Sequence, residues 1–201
     1  MTPVLVPGLK KITRLAAGSN HVMALDSSGR VYAWGSNQQS QLGSKTYAQR
    51  SKAAIPSKYI SLTPAPVYLS GKKIASISCG SYHSFAIDSK GQVYAWGLNN
   101  FGQTGINMGV GENGALIELP AVVRSLSSFH LQEIQGGNHH SIACCKDGTV
   151  LSWGRCDDNQ MGIDLGKVTS EMLKDDRGRP RILLLPTEVP GKSYFKLTNQ
   201  H

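Results

Sequence analysis

Short apolar runs separated by polar turns recur along this chain. His21 to Leu25 and Arg30 to Trp34 are each rich in apolar and aromatic residues, and Asp26-Ser-Ser-Gly29 lies between them. This arrangement predicts a β-hairpin, because glycine supplies the positive φ that closes a turn of about three to five residues. The first part of the chain is therefore predicted to be β-structure.

The same hairpin pattern occurs in three copies, at a period of about sixty residues. Each copy runs from Gly-x-x-His to Trp-Gly with the same spacing, and a Gln and a second Gly follow at a fixed distance. Recurrence at such a period indicates that each copy is one supersecondary unit. Function is therefore expected at the positions where the copies differ. The copies run from Gly18 to Gly35, from Gly80 to Gly97 and from Gly137 to Gly154.

Further strands are expected on both sides of each hairpin. The apolar segment before it and the segment around Pro64, Pro120 or Pro186 can supply one strand each. Four antiparallel strands per unit is the anatomy of a propeller blade, so the sequence predicts an all-β propeller. Helical repeats are the competing architecture, but the units lack sustained 3.6-residue apolar spacing and are rich in glycine. The units are expected at residues 12–69, 74–130 and 131–190, with residues 191–201 as the lead-in to a further repeat.

Composition is that of a soluble globular protein. Hydrophobic residues make up 40% of the chain, without an apolar run long enough to span a membrane. The amino-terminal residues lack the basic and long apolar regions of a signal peptide. The four cysteines show no C-x-x-C spacing, which indicates reduced, packed thiols in an intracellular protein.

Motifs of covalent catalysis are missing from the sequence. Residues 109–114 match G-x-G-x-x-G, but they lie in a variable segment rather than between a predicted strand and a helix. His139 and His140 lie near three cysteines, yet their spacing fits no zinc class, and neighbouring residues of a strand point to opposite faces. We therefore expect neither an enzyme nor a metal site, and no cofactor.

The formal net charge of +8 favours an acidic partner, such as nucleic acid or chromatin, through long-range attraction and counterion release. The basic residues are concentrated in the variable segments of the first and third units, while the repeat cores are nearly neutral. Solvated lysine-rich loops without a partner are the alternative explanation.

The pattern Gly-x-x-His, Asp-x-x-Gly, Val-Tyr-x-Trp-Gly and Gln-Leu-Gly resembles the repeat of the regulator of chromosome condensation family. Members of that family form seven-bladed β-propellers, and the resemblance covers nearly the whole chain. A ring needs roughly four to eight blades to close, whereas this chain holds about three units. The chain is therefore expected to be a fragment of a longer protein, with a dimerising half-ring as the alternative.

The resemblance also implies a function. In the founding members, one face of the propeller binds the small GTPase Ran during guanine nucleotide exchange, and the other face meets the nucleosome. We expect part of a nuclear, chromatin-associated exchange factor, with a cytoplasmic pool allowed, that supports nucleocytoplasmic transport and spindle and nuclear assembly. The alternative is a propeller interaction module, as in ubiquitin ligases, without exchange activity.

The residue before each repeat histidine contacts Ran in the exchange factors of this family. The resemblance therefore implies a GTPase-binding rim of Asn20, Tyr82 and His139. His139 matches the family pattern, while Asn20 replaces an Asp. The repeat histidines themselves are expected to serve the scaffold by hydrogen-bonding backbone between blades. In the family, a short wedge of the propeller inserts against the GTPase and displaces the nucleotide. That wedge belongs to a blade that would precede Met1, so this chain alone is expected to exchange nucleotide poorly.

The insertion from Ser44 to Val67 is similar to the basic loop with which the family reaches nucleosomes. Arg50 is expected to anchor this loop on the acidic histone surface, with Lys52 and Lys58 assisting. Arginine suits that role because its guanidinium can pair with carboxylates in two-point geometry. DNA is the other acidic partner expected for this loop.

Overall fold

The computed structural model describes residues 2–44, 59–69, 71–168 and 170–190. These residues form three antiparallel sheets of up-and-down strands, which we call blades 1 to 3. Blade 1 contains β1 (Ile12–Ala17), β2 (His21–Asp26), β3 (Val31–Ser36) and β4 (Ile60–Pro66). Blade 2 contains β5 (Ile74–Cys79), β6 (His83–Asp88), β7 (Val93–Leu98) and β8 (Leu116–Val122). Blade 3 contains β9 (Leu131–Gly136), β10 (His140–Cys145), β11 (Val150–Arg155), β12 (Met172–Lys174) and β13 (Pro180–Glu188). Short 3₁₀ helices lie at Arg124–Leu126 and Leu165–Lys167.

Because neighbouring strands are antiparallel, the loops of each blade lie at two opposite ends. We call the end with the Gly-x-x-His loops the upper end. We call the opposite end, where a turn joins the second and third strands of each blade, the lower end. Asp26 shows how such a turn is fixed: its Oδ1 accepts from the backbone N–H of Ser28 at 2.9 Å and of Arg30 at 3.1 Å. Gly29 closes the turn with a φ of +87°, a conformation that glycine adopts without strain.

Blade 3 differs from the prediction of four strands, because β12 adds a fifth strand beside β13. The hairpin between them repeats the turn of the first blade: Asp175 Oδ1 accepts from the N–H groups of Arg177 at 3.0 Å and Arg179 at 2.8 Å. Its sequence, Asp175-Asp-Arg-Gly-Arg179, has the same Asp-x-x-Gly-Arg pattern as Asp26 to Arg30. This signal was available in the sequence and was missed.

The hydrophobic core lies between the blades rather than within one sheet. Trp96 of blade 2 and Trp153 of blade 3 are completely buried against the preceding blade. Burying an indole side chain removes about 150–250 Å² from water, which contributes about 4–6 kcal/mol of transfer free energy. Trp34, the equivalent residue of blade 1, is only half-buried. Neighbouring blades therefore stabilise each other by covering these tryptophans.

A hydrogen-bonded relay, which we call the latch, joins each pair of blades. His21 Nε2 lies 2.8 Å from the Ser84 hydroxyl. That hydroxyl donates to the Gln41 carbonyl at 2.9 Å, and Trp96 Nε1 donates to the same carbonyl at 2.9 Å. The repeat histidine therefore reaches the backbone of the neighbouring turn through a serine, and the prediction of a direct histidine–backbone hydrogen bond was wrong.

The second latch has the same composition. His83 Nε2 lies 2.8 Å from Ser141 Oγ, and this hydroxyl donates to the Gln103 carbonyl at 2.7 Å. Because the serine proton is used in that bond, His83 must carry its own proton on Nε2. Burial lowers the pKa of His83 to about 3, so the ring is neutral at pH 7.

Glycine is required where the latch histidine packs against its own loop. A Cβ on Gly80 would lie 2.1 Å from Cε1 of His83, and a Cβ on Gly18 would lie 2.2 Å from Cε1 of His21. The Gly-x-x-His motif therefore exists because the imidazole ring occupies the space of the missing side chain. In the part of the chain that the structure describes, no helix has the length and hydropathy needed to cross a membrane.

Candidate functional site

The three Gly-x-x-His loops form a continuous row at the upper end. Ser19 N–H donates to the Ser81 carbonyl at 3.1 Å, and Ser81 N–H donates to the Gly137 carbonyl at 3.0 Å. These bonds hold the loops of successive blades in one register. Asn20 and Tyr82 directly follow the two linked serines in sequence, so their backbone positions are fixed relative to each other.

The backbone of each predicted rim residue also belongs to the scaffold. The carbonyl groups of Asn20, Tyr82 and His139 accept hydrogen bonds at 2.7, 2.9 and 2.9 Å from residues that follow or end the third strand of their own blade. Gly35 shows how closely the two backbone segments approach each other, because a Cβ there would lie 2.4 Å from the Asn20 carbonyl oxygen. The side chains remain accessible: Asn20 is exposed, and the other two are half-buried. Accessible side chains on a rigid loop are typical of binding positions.

Two of the predicted rim residues are in ring contact. Tyr82 stacks on His139 with the ring centroids 6.2 Å apart, and the Phe101 ring is tilted against the same imidazole with the centroids 5.0 Å apart. Asn20 lies at the same end of blade 1, at the equivalent repeat position. The structure thus brings Tyr82 and His139 together, and their predicted role in GTPase binding stays a prediction.

His139 is kept neutral by its surroundings. Burial is the largest cause that lowers the pKa of its imidazole, and the positive charge of Arg155 lowers it further. Among the described residues, its buried Nδ1 atom has no hydrogen-bond partner. The ring therefore offers an uncharged surface at pH 7.

Arginine side chains border this aromatic row, and they were not predicted from the sequence. The guanidinium carbons of Arg155 and Arg181 lie 5.5 and 5.6 Å from the centroid of the Phe101 ring. Arg155 pairs with Asp157 at 2.6 Å and with Asp158 at 3.4 Å. Phe101 and Arg155 follow Trp-Gly in their units, so comparing that segment between copies would have marked both.

The lower end carries exposed lysines in the loops of all three blades. Two of them, Lys11 and Lys73, directly precede the first strand of their blade, β1 or β5, and their carbonyls accept from the adjacent hairpin turns at 2.9 and 2.8 Å. The carboxylates of Asp26 and Asp88 at this end are buried and cap turn amides. We call these lysines the basic rim; they are Lys10, Lys11, Lys72, Lys73, Lys90 and Lys146.

The predicted acidic-partner residues Arg50, Lys52 and Lys58 lie outside the described residues. The described ends of their insertion are attached at different heights of blade 1. Tyr68 N–H, just after β4, donates to the Gly43 carbonyl at 3.1 Å near the lower end. The Tyr59 carbonyl, just before β4, accepts from the Asn37 N–H, just after β3, at the upper end, so the insertion starts near the lower end and returns at the upper end of blade 1.

Metal-ligating side chains are dispersed in the described ranges. There, no group of three or more His, Cys, Asp or Glu residues is arranged to hold a metal ion. Cys79, Cys145 and Cys156 are buried and free, and burial raises the pKa of the Cys79 thiol to about 12.

Comparisons with known proteins identify the family. The model of the RCC1-like domain matches residues 1–199. Protein pim1 of Schizosaccharomyces pombe is 44% identical over 183 residues, which cover 91% of this chain and 32% of that protein. Guanine nucleotide exchange factor SRM1 of Saccharomyces cerevisiae is 34% identical over 97% of this chain and 39% of its own length.

A solved structure agrees with these sequence matches. The crystal structure of Prp20p from Saccharomyces cerevisiae, a protein described by its binding to Gsp1p and histones, superposes with a TM-score of 0.80 at 35% identity. The superposition covers 93% of this chain and 41% of that one. The chain thus spans between about a third and two fifths of the length of these relatives. Because the family model matches almost every residue and the blades agree with a solved relative, the chain belongs to the RCC1-like domain family.

Proposed function

We propose that this chain is part of a guanine nucleotide exchange factor for a Ran-type GTPase. The observation that carries the proposal is the similarity to a named exchange factor, SRM1, across 97% of the chain. Prp20p, described by its binding to Gsp1p and histones, has the same blades. The protein would act at chromatin in the nucleus, in support of nucleocytoplasmic transport and of spindle and nuclear assembly.

Exchange of this kind needs binding but no covalent chemistry, so the protein would not be an enzyme in the usual sense. A partner that binds the nucleotide-free GTPase more tightly than the loaded form must lower the affinity of nucleotide by the same factor. The upper end suits such a role, since its loops are tied together by backbone hydrogen bonds. Asn20, Tyr82 and His139 would supply the GTPase contact of these blades.

The basic rim would face chromatin at the opposite end. Its lysines are exposed, while the nearest buried carboxylates, Asp26 and Asp88, already cap backbone amides. Exposed lysines bind phosphates and release counterions. Arg50, Lys52 and Lys58 would add further basic contacts to chromatin from their insertion, which starts near the lower end and returns at the upper end. Two ends with separate partners would let one protein bind GTPase and nucleosome together.

Nucleotide release tests the exchange activity. The full-length protein is mixed with Ran carrying a fluorescent guanine nucleotide, and the loss of fluorescence is followed after excess GTP is added. We expect release far faster than the spontaneous rate, and a His139→Ala variant about tenfold less active at low protein concentration, as for the loss of an interface hot spot. Release at the spontaneous rate would refute the proposal and favour an interaction module.

Binding to DNA and nucleosomes tests the basic rim. A Lys72→Glu, Lys73→Glu double variant should weaken nucleosome binding and lower the slope of log affinity against log salt by about 1.8, since each lost phosphate contact contributes about 0.9. A Lys167→Glu, Lys174→Glu variant makes the same change in net charge elsewhere and serves as the control. Equal salt slopes for both variants would remove the basic rim from the proposal. Replacing Arg50 and Lys52 by Glu tests the insertion in the same assay.

A further inference from the structure

Phe101 is the centre of the aromatic row at the upper end. Its ring contacts His139 at 5.0 Å, and His139 in turn stacks on Tyr82 at 6.2 Å. Arg155 and Arg181 lie over the same Phe101 ring at 5.5 and 5.6 Å. A half-buried aromatic ring surrounded by two arginines and a neutral imidazole forms a continuous surface of mixed apolar and cationic character.

The other copies of the repeat show that the scaffold does not need an aromatic ring at this position. Gln39 in blade 1 and Asp158 in blade 3 occupy the place of Phe101. All three residues donate their backbone N–H to the side chain of the Gln two residues later, at 2.8 to 2.9 Å. The turn is therefore built in the same way whatever side chain it carries, and the ring of Phe101 is free to serve binding.

Arg181 is the unpaired cation of this surface. Arg155 is paired with Asp157 and Asp158, and Arg179 is paired with Asp175 at 2.8 Å. Arg181 is exposed, and among the described residues its guanidinium has no ion pair. Its contact with Phe101 sets its direction, so its donors are presented to a partner at low entropic cost.

We propose that Phe101 and Arg181 are a second GTPase contact of this rim, in which Arg181 pairs with a carboxylate of the GTPase and Phe101 packs against an apolar side chain beside it. This inference rests on the proposed function, since it names further binding residues of the same surface. The partner chemistry follows from the guanidinium of Arg181, which has no ion pair among the described residues, whereas Arg155 and Arg179 already have carboxylate partners. A basic segment would instead leave Arg181 facing a like charge, which disfavours binding.

Affinity for the nucleotide-free GTPase tests the inference in the full-length protein. Phe101→Gln introduces the residue that blade 1 carries at the same place, so the turn should be kept while the ring is lost. We expect Phe101→Gln and Arg181→Glu each to weaken binding by about tenfold, as for central interface residues. The loss in Arg181→Glu should shrink at high salt, because it is electrostatic.

Arg124→Glu is the matched control, since it makes the same charge change at an exposed position of the lower end. Its affinity for the GTPase should equal that of the wild type. If the wild-type protein accelerates nucleotide release and both Phe101→Gln and Arg181→Glu bind the GTPase as the wild type does, this inference is wrong while the proposed function stands. If the wild type itself neither binds nor accelerates release, the proposed function fails, and the contact fails with it.

Discussion

Replacing His83 by glutamine should make the stability of the protein less sensitive to acid. His83 is completely buried in the second latch, and burial lowers the pKa of its imidazole from 6.5 to about 3. In the unfolded chain the ring returns to its ordinary pKa. Between these two values the unfolded state binds a proton that the folded state does not, so the free energy of unfolding falls as the pH decreases.

The expected effect follows from the width of that window. Stability from the neutral ring is fully present above pH 6.5 and is lost as the pH falls toward 3, at about 1.4 kcal/mol per pH unit. Between pH 7 and pH 5 the loss is about 2 kcal/mol. His21 in the first latch, whose pKa is lowered to about 4 by burial, contributes a similar amount.

Urea unfolding of the full-length protein at pH 7 and pH 5 measures this effect. The wild type should lose about 2 kcal/mol more than His83→Gln between the two pH values. Whatever packing the substitution disturbs enters at both pH values and cancels in the comparison. His130→Gln removes an exposed histidine and is the control. An equal loss in wild type and His83→Gln would show that the buried ring is not neutral in the folded state, and the latch as described would be wrong.

Two further predictions concern the same latch. Ser141→Ala leaves the Nε2 proton of His83 buried without an acceptor, so it should lower the free energy of unfolding by about 1–3 kcal/mol. Ser128→Ala, at an exposed site, should leave the free energy of unfolding unchanged. Equal urea midpoints for the two variants would contradict this prediction. Gly80→Ala places a Cβ 2.1 Å from the His83 ring and should cost more than about 3 kcal/mol or prevent folding. Gly114→Ala, with open space around it, should cost only about 1 kcal/mol for its positive φ; similar thermal midpoints for both glycine variants would be evidence against ring packing as the reason for Gly80.

The blades and hairpin turns were predictable because their signals are local. Asp26 and Gly29 specify the turn within a few residues, and repetition of that pattern made the prediction of an all-β propeller secure; the solved relative confirms it. The fifth strand was missed although Asp175 and Gly178 carry the same turn signal. That hairpin lies in the variable segment of the third unit and has no counterpart in the other two, so comparison of the copies did not reveal it.

The latch could not be predicted because its partners are distant in sequence. Ser84 meets His21 from 63 residues away and Gln41 from 43, and the shared acceptor is a backbone carbonyl, which leaves no side-chain signal. Phe101 and Arg181 were missed for a related reason. Phe101 comes from a loop of blade 2 and Arg181 from β13 of blade 3, and only the packing of the two blades brings their side chains together.

The residue after each repeat histidine distinguishes blade 1 from the other two blades. Ser84 and Ser141 complete the latches of blades 2 and 3, but Val22 holds the same position in blade 1 and has no hydroxyl. Trp34 is the tryptophan whose indole N–H would donate to a latch carbonyl there, and it is half-buried on that face. A blade packed there in a closed ring could therefore not form the His–Ser–carbonyl relay, whereas Trp34 Nε1 would still be able to donate to a carbonyl of that blade. The interfaces of such a ring would then differ, because the one beside the Asn20 loop would lack the serine of the latch.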